Sequence, residues 1–342
     1  MSAQVLVSAD QIENELSQIW KKLSAEAKTR ASLFNLIVFS RLSKRTDYYR
    51  HVVQLIIQKF PCRVLFISSD PEHSYLKTSV SVVFPASGEE SFACDQIDIG
   101  IGGDQWPRVP SILLPHLLPD LPTYLLWTED PSENHPLFAP LSSFSSRIIF
   151  DSESSPSLLK FSETLLSLPL EVADLNFARM EGWRDLFSVV FDTEESLQTL
   201  RSFGQMEIFY NSRETESFCH LKIQAIYLIA WLTCRLKWQL LSVEPKENLF
   251  QFREGKILLK GEVWENLNPG VLIGVTVGKN YRLIRDKKTP HHIHFPEEGQ
   301  TFILERPQFG LSLIKQIGSE TGSQPFLQVL QTIRSSLVSL LC

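Results

Sequence analysis

Hydrophobic positions along this chain fall into three patterns. Short continuous runs read as buried strands: SLFNLIVFS (32–40), CRVLFISSD (62–70) and LPTYLLWT (121–128). Stretches that repeat every three or four positions read as helices. Residues 10–30 carry Ile12, Leu16, Ile19, Trp20 and Leu23 behind a cap at Ser8 or Asp10. Residues 46–60 show Val52, Leu55, Ile56 and Ile57 on one face, with Thr46 as cap and Phe60-Pro61 as the stop. Strict alternation is the third pattern. In SFACDQIDIGIGG (91–103), Ile97, Ile99 and Ile101 share a face, and SYLKTSVSVVFPA (74–86) is a further strand. Val109–Leu118 reads as a helix, SSRIIFDS (145–152) as a strand and SPSLLKFSETLLSL (155–168) as a helix. Strand, helix and strand in succession imply parallel pairing through crossovers. Residues 30–170 therefore predict an α/β layer fold, a mostly parallel sheet flanked by helices.

The second half reads differently. DLNFARMEGWRDLFSVVFD (174–192) and LKIQAIYLIAWLTCRLKW (221–238) have helical spacing, the latter through Ala225, Leu228, Ile229, Leu232 and Leu236. From 248 onward short strands alternate with turn signals: LFQF, KILLKGEVW, GVLIGVTVG, YRLIRD and TFILERP, separated by Glu254-Gly255, Pro269-Gly270 and Gly278-Lys279-Asn280. Helices over 309–318 and 325–341 close the chain. The pattern predicts two domains, 1–170 α/β and 171–342 α+β with helices and an antiparallel sheet, cut softly at Leu168-Pro169.

Composition sharpens this in three ways. The chain has 342 residues, beyond the roughly 250–300 at which one core stops growing. A net charge of −6 argues against nucleic acid and anionic membranes as partners. Five cysteines (Cys62, Cys94, Cys219, Cys234, Cys342) are widely spaced with no CxxC pair, which fits a reducing cytoplasm and neither a metal site nor a disulfide framework. The start MSAQVLVSADQIENEL lacks the basic-then-apolar layout of a signal peptide. No run approaches the ~20 apolar residues of a membrane span; 221–236 is interrupted by Lys222, Gln224 and Arg235.

Candidate chemistry is sparse. GIGGD (100–104) follows a late strand, with Trp106-Pro107 before any helix, so it reads as a strand end in a tight turn rather than a phosphate loop. PHHIHF (290–295) puts His292 and His294 on one strand face, with His291 opposite and Glu297 or Glu298 nearby. No HExxH or spaced Cys/His set supports a metal. With Lys287 and Lys288 upstream, the alternatives are a surface anion site formed with His292 and His294, or an exposed strand in a basic loop. There is no GxSxG elbow, and Asp95 beside Cys94 would raise a thiol pKa. Asp120 and Asp130 sit beside prolines as turn residues. Arg179 and Arg184 lie in an aromatic-apolar helix, where an arginine is either paired with a carboxylate or placed at an interface.

Seven stretches occur in an order that resembles one family. They are NLIVFS (35–40), FPCRVLFIS (60–68), CDQIDIGIGG (94–103), LLPDLPTYLLWTED (117–130), SRIIFDS (146–152), DLNFARMEGWRDLFSVVFD (174–192) and AIYLIAWLTCRLKW (225–238). Over roughly residues 30–240 they resemble the glucose-6-phosphate dehydrogenase assembly proteins, the OpcA family of bacteria. The family's tandem tryptophan appears as Leu126-Trp127, Phe177 stands for a tryptophan and Met180 for a leucine. The resemblance implies a non-enzymatic, cytoplasmic partner of glucose-6-phosphate dehydrogenase in the oxidative pentose phosphate pathway, an assembly factor or allosteric activator with no cofactor. In photosynthetic members it also implies redox control through cysteines. Under that reading Pro119 and Pro122 stiffen the entry to a strand that ends in Trp127. Trp127, Arg179, Trp183 and Arg184 are then the expected partner contacts, since tryptophan and arginine dominate interface energies. The alternatives are a sugar-phosphate enzyme using the strand ends or the histidines, and a metabolite-sensing binding protein.

Overall fold

The computed structural model describes residues 4–24, 29–84, 92–215, 220–295, 298–304, 311–318 and 323–336. The expected contributions of Cys219, Cys342 and Glu297 lie outside them. The fold is α/β, with one mixed, mostly parallel sheet and one mostly antiparallel sheet. Two compact units divide the chain. The first comprises Met1–Asp151, Pro169–Ala173 and Phe309–Ser319; the second comprises Ser152–Leu168, Asp174–Gln308 and Glu320–Cys342. This division interleaves segments, unlike a single cut near 170.

The first sheet contains β1 (Val5–Val7), β2 (Thr29–Arg30), β3 (Asn35–Arg41), β4 (Arg63–Asp70), β5 (Leu76–Val83), β6 (Phe92–Gly102), β7 (Thr123–Trp127), β8 (Arg147–Phe150) and β9 (Glu171–Asp174). Their order is β1-β5-β6-β4-β3-β7-β8-β9, with β2 beside the start of β6. Neighbours from β6 to β8 are parallel, as the crossovers predict. Leu36, Ile37, Val38 and Phe39 of β3 are fully buried, which is why this strand reads as a continuous apolar run. Helices α1 (Ile12–Ser24), α2 (Lys44–Ile57), α3 (Val109–Leu113) and α4 (Phe138–Ser143) follow in chain order, and then α5 (Leu158–Ser167), which belongs to the second unit.

Local details depart from the expectations. The cap of α2 is Ser43, which forms a capping box with Thr46 three residues on. Ser8 makes no side-chain cap; a short turn at Ala9–Gln11 leads into α1. The helix expected over 109–118 shortens to α3, because Pro115 ends it in a tight turn over Leu114–His116.

The second sheet contains β10 (Gly204–Asn211), β11 (Leu240–Glu244), β12 (Leu249–Phe252), β13 (Gly255–Glu262), β14 (Leu272–Val277), β15 (Tyr281–Arg285), β16 (His292–Phe295) and β17 (Gln300–Ile303). The order is β11-β12-β13-β10-β14-β15-β16-β17. The β10–β13 pair is parallel and the other neighbours are antiparallel. The remaining helices in chain order are α6 (Leu175–Arg179), α7 (Glu181–Val190), α8 (Glu194–Arg201), α9 (Ile223–Leu236), α10 (Leu311–Gly318), which belongs to the first unit, and α11 (Gln324–Ser336). The single helix expected over 174–192 is two, separated at Met180. α9 is buried from Ile223 through Ala230 between α6 and α11 rather than along one stripe.

Two buried polar hubs hold the first unit. Asp95, fully buried on β6, accepts from Trp20 Nε1 at 2.7 Å, Arg30 Nη2 at 2.6 Å and Arg63 Nη2 at 2.7 Å. One carboxylate thus ties α1, β2, β4 and β6. Arg63 also reaches Glu13 at 2.9 Å. Glu13, Arg30 and Arg63 line a cleft of about 520 Å³, walled by Leu117, Leu118 and Pro119 of the LLPDLP block. The second hub is Asn35. Its Nδ2 donates to Leu118 O (3.0 Å) and Thr123 Oγ1 (3.2 Å), and its Oδ1 accepts from Leu118 N (2.9 Å), which pins the proline turn to the start of β3.

The cysteines are less scattered in space than in sequence. Cys62 and Cys94 are both buried, and the Cys94 thiol lies within hydrogen-bonding reach of the Cys62 backbone. Burial pushes Cys94 up to about 11 and Cys62 well above the usual thiol value.

Asp95→Ala strands two guanidinium groups and an indole N–H, so it is expected to cost about 3–5 kcal/mol and lower the melting temperature by roughly 10 °C. An unchanged melting curve would show that the hub is dispensable. Alkylation of native protein by iodoacetamide should leave Cys62 and Cys94 unmodified, since both are held as thiols, and modify them after denaturation. Peptide mass mapping reads the difference.

Candidate functional site

In an open α/β sheet, ligands gather at the carboxyl ends of the strands, where the strand order reverses. That point here lies between β3 and β7. β3 ends at Arg41 and β7 at Trp127, so the loops after them, 42–43 and 128–137, flank the place where chemistry would sit.

Aromatic packing fills its floor. Phe39 and Trp127 are register partners, and their rings stack at 4.3 Å with a 10° interplanar angle. His135 lies 4.6 Å from Phe39 and 5.5 Å from Trp127, and Phe138 stands edge-on to Trp127 at 5.0 Å. Burial, reinforced by the Arg41 charge, pulls the His135 imidazole down to about 4. It is neutral at pH 7, and its Nδ1 accepts from Leu137 N at 3.2 Å.

Charged groups at this edge pair with one another. Arg41 N donates to Glu129 Oε1 at 2.9 Å, and Arg41 Nη2 to Glu133 Oε2 at 2.6 Å. Thr128 Oγ1 donates to Phe39 O at 2.9 Å. Beyond β8, Asp151 is fully buried and accepts from Arg45 Nη2 (2.7 Å) and Tyr49 Oη (3.0 Å). Burial and the adjacent Asp151 charge raise the Tyr49 phenol well above its usual value, so it stays a donor. Asp130 holds a turn by accepting from Ser132 N at 2.9 Å. Among its described residues the cluster has ion pairs and stacked rings, with no nucleophile set against a base.

The four side chains expected at a partner surface are placed otherwise. Trp127 and Trp183 are buried, 0% and 1% exposed, so packing takes the area a partner would need. Arg179 donates to Glu153 Oε1 (3.2 Å) and Asn176 Oδ1 (2.7 Å), the carboxylate-paired outcome. It borders a buried polar network in which Asp174 accepts from Asn176 N, Phe177 N and Ser152 N. Arg184 donates to Phe177 O at 2.6 Å and lies 4.1 Å above the Phe177 ring; burial pulls it down to about 10. The DLNFAR motif, together with Ser152, is thus structural in the second unit.

The basic loop after β15 does not form an open anion cradle. Asp286 sits in the middle of it and accepts from Lys288 N (2.6 Å) and Thr289 N (3.0 Å). His294 Nε2 lies 3.1 Å from its other oxygen, and Lys287 Nζ lies 5.9 Å from the Trp264 ring. The Thr289 and Lys288 amides and His294 pull Asp286 down to about 2, so these three donors already face a carboxylate. His292 packs against His291 at 4.4 Å. Among the described residues no group of three His, Cys, Asp or Glu side chains could hold a metal. GIGGD is a strand end: a Cβ on Gly102 would lie 1.7 Å from His73 O, so its bareness admits neighbouring backbone.

Sequence reasoning missed Arg41, Glu129, Glu133 and Asp151 as a group. Glu129 and Asp151 follow strand ends, which was the available signal. Their partners come from separate loops and from α2.

Comparison with known proteins supplies the context. A family model described as the glucose-6-phosphate dehydrogenase subunit N-terminal domain matches residues 53–166, and its C-terminal counterpart matches residues 170–306. A protein of Nostoc punctiforme named OpcA, for the OxPP cycle, is 27% identical over 194 residues, 54% of this chain and 40% of its own length. The protein of that name in Synechocystis is 24% identical over 211 residues, 59% of this chain and 43% of its own length. The aligned stretch thus spans less than half of each relative. An aldose-aldose oxidoreductase structure from Caulobacter crescentus superposes with a TM-score of 0.46 at 10% identity, covering 90% of this chain and 97% of that one, too loosely to bear on function. With both domain models matched in order and most of the chain covered between them, the protein belongs to the OpcA family of glucose-6-phosphate dehydrogenase assembly proteins.

Proposed function

We propose that this protein binds glucose-6-phosphate dehydrogenase and favours its assembled, active state, without catalysing a reaction itself. The observation that carries this is the match of both family domains, in order, across residues 53–306. The geometry is consistent with it. At the carboxyl edge of the first sheet the ionisable groups serve one another, as Arg41 does with Glu129 and Glu133 and Arg45 with Asp151. A sugar-phosphate enzyme would need some of them turned toward a substrate. An assembly factor needs shape and contact area, both of which a rigid, ion-paired fold provides. Among the described residues no helix is long and apolar enough to cross a membrane. We place the protein in the cytoplasm, with its partner.

Activation of this kind is a difference in affinity: the factor must bind the active state of the enzyme more tightly than the inactive one. Trp127 and Trp183 contribute by holding their cores, not by touching the partner.

Mixing the purified protein with the dehydrogenase of the same cell should give co-elution on size exclusion. The apparent affinity for glucose 6-phosphate should improve about fivefold or more, the range of ordinary coupling free energies. Separate elution together with unchanged kinetics would overturn the proposal.

A further inference from the structure

Numbered in chain order, the five parallel strands β3, β4, β6, β7 and β8 lie side by side as third, second, first, fourth, fifth. That is the order of the dinucleotide-binding sheet. In such a sheet the pyrophosphate rests at the end of the first strand, on the amides that open the following helix. We infer that this protein keeps the dinucleotide sheet but has closed its nucleotide crevice with its own side chains, so that it binds neither NAD nor NADP, oxidised or reduced.

The loop after β3 is the first reason. It reads Ser-Arg-Leu-Ser-Lys-Arg-Thr over 40–46 and contains no glycine. The fingerprint needs glycines there so that backbone can approach the pyrophosphate without Cβ atoms in the way.

The amides are the second. Arg41 N is donated to Glu129 Oε1 at 2.9 Å, Leu42 N to Ser69 O at 2.7 Å and Ser43 N to Thr46 Oγ1 at 3.0 Å. Arg45 N goes to Ser43 Oγ at 3.2 Å and Thr46 N to Ser43 O at 3.0 Å. The capping box of α2 thus does internally what a phosphate does externally in the dinucleotide fold.

Charge is the third. The group on Arg41 N is the Glu129 carboxylate, and Arg41 Nη2 extends the lacing to Glu133, so the two loops that diverge at the switch point are joined. A phosphate arriving there would meet a carboxylate instead of a free donor.

One feature does match the dinucleotide pattern. Asp70 ends β4, the position of the carboxylate that binds ribose. Its oxygens accept from Glu72 N at 2.9 Å and contact His73 Nδ1 at 2.8 Å, so it too is engaged locally.

The inference is independent of the proposed partnership, since a factor that bound a nucleotide could still bind the dehydrogenase. Isothermal titration of the full chain with NADP⁺, NADPH, NAD⁺ and NADH, each to about 1 mM, should give no saturable heat. Saturable binding of any of the four would overturn it. Hydrogen exchange on the unliganded protein reads the closure directly. The Arg41 and Thr46 amides should be protected, and Glu129→Ala should speed Arg41 exchange by roughly tenfold to a hundredfold, the factor for one lost hydrogen bond to a charge. Fast exchange of both amides in the unmodified protein would also overturn it.

Discussion

A charge taken out of water must be answered where it is buried, because an isolated ion in the interior costs several kcal/mol. In the first unit this constraint decides how helices lie on the sheet. Asp95, Asp98 and Asp151 are nearly or fully buried, and each meets an arginine from another element. Two of those arginines, Arg45 and Arg50, stand on α2 and reach Asp151 beyond β8 and Asp98 on β6. These anchors lie on opposite sides of β3 in the strand order, so α2 is held across the sheet at two points and cannot roll without stranding a carboxylate. Apolar packing alone would tolerate several orientations.

The same pairing explains why a fold with an inviting carboxyl edge has so little chemistry there. Groups that could bind or activate a substrate are spent on structure: Arg41 on two glutamates, Tyr49 on Asp151, His135 against two aromatic rings. Stiffness results, and stiffness suits the surface-presenting role proposed above. A partner pays less ordering entropy to bind a surface that is already fixed.

Patterns of apolar residues made the architecture legible. β3, β4, β6, β7 and β8 appear in the sequence as runs or alternations because local periodicity reflects which faces are covered. β10 was missed because GQMEIFYN alternates weakly and its outer face, Gln205, Glu207 and Phe209, mixes charge with an aromatic ring. β11 was missed for a similar reason, since its edge position leaves Leu241 and Ser242 exposed. The polar hubs were not legible at all. Asn35 and Asn211 look like ordinary turn-forming residues, yet both are fully buried and hold distant loops: 118–123 in one case, 264–268 in the other. Nothing local marks an amide that will bond carbonyls fifty to ninety positions away. The tryptophans misled for the opposite reason: their residue type suits an interface and a core equally, and only burial separates the two.

β10 occupies the middle of the second sheet, flanked by β13 on one side and β14 on the other, although both are synthesised later. At its first step Gly204 faces Gly255 so closely that a Cβ on Gly255 would fall 2.4 Å from Gly204 O. Neither flank can be supplied by a hairpin from β10 itself. During translation one row of its backbone groups must wait until the ribosome has passed Glu262 and the other until it has passed Val277. Closure over such separations is slow and leaves edges open to stray pairing, so the newly made chain is most vulnerable to aggregation in that interval.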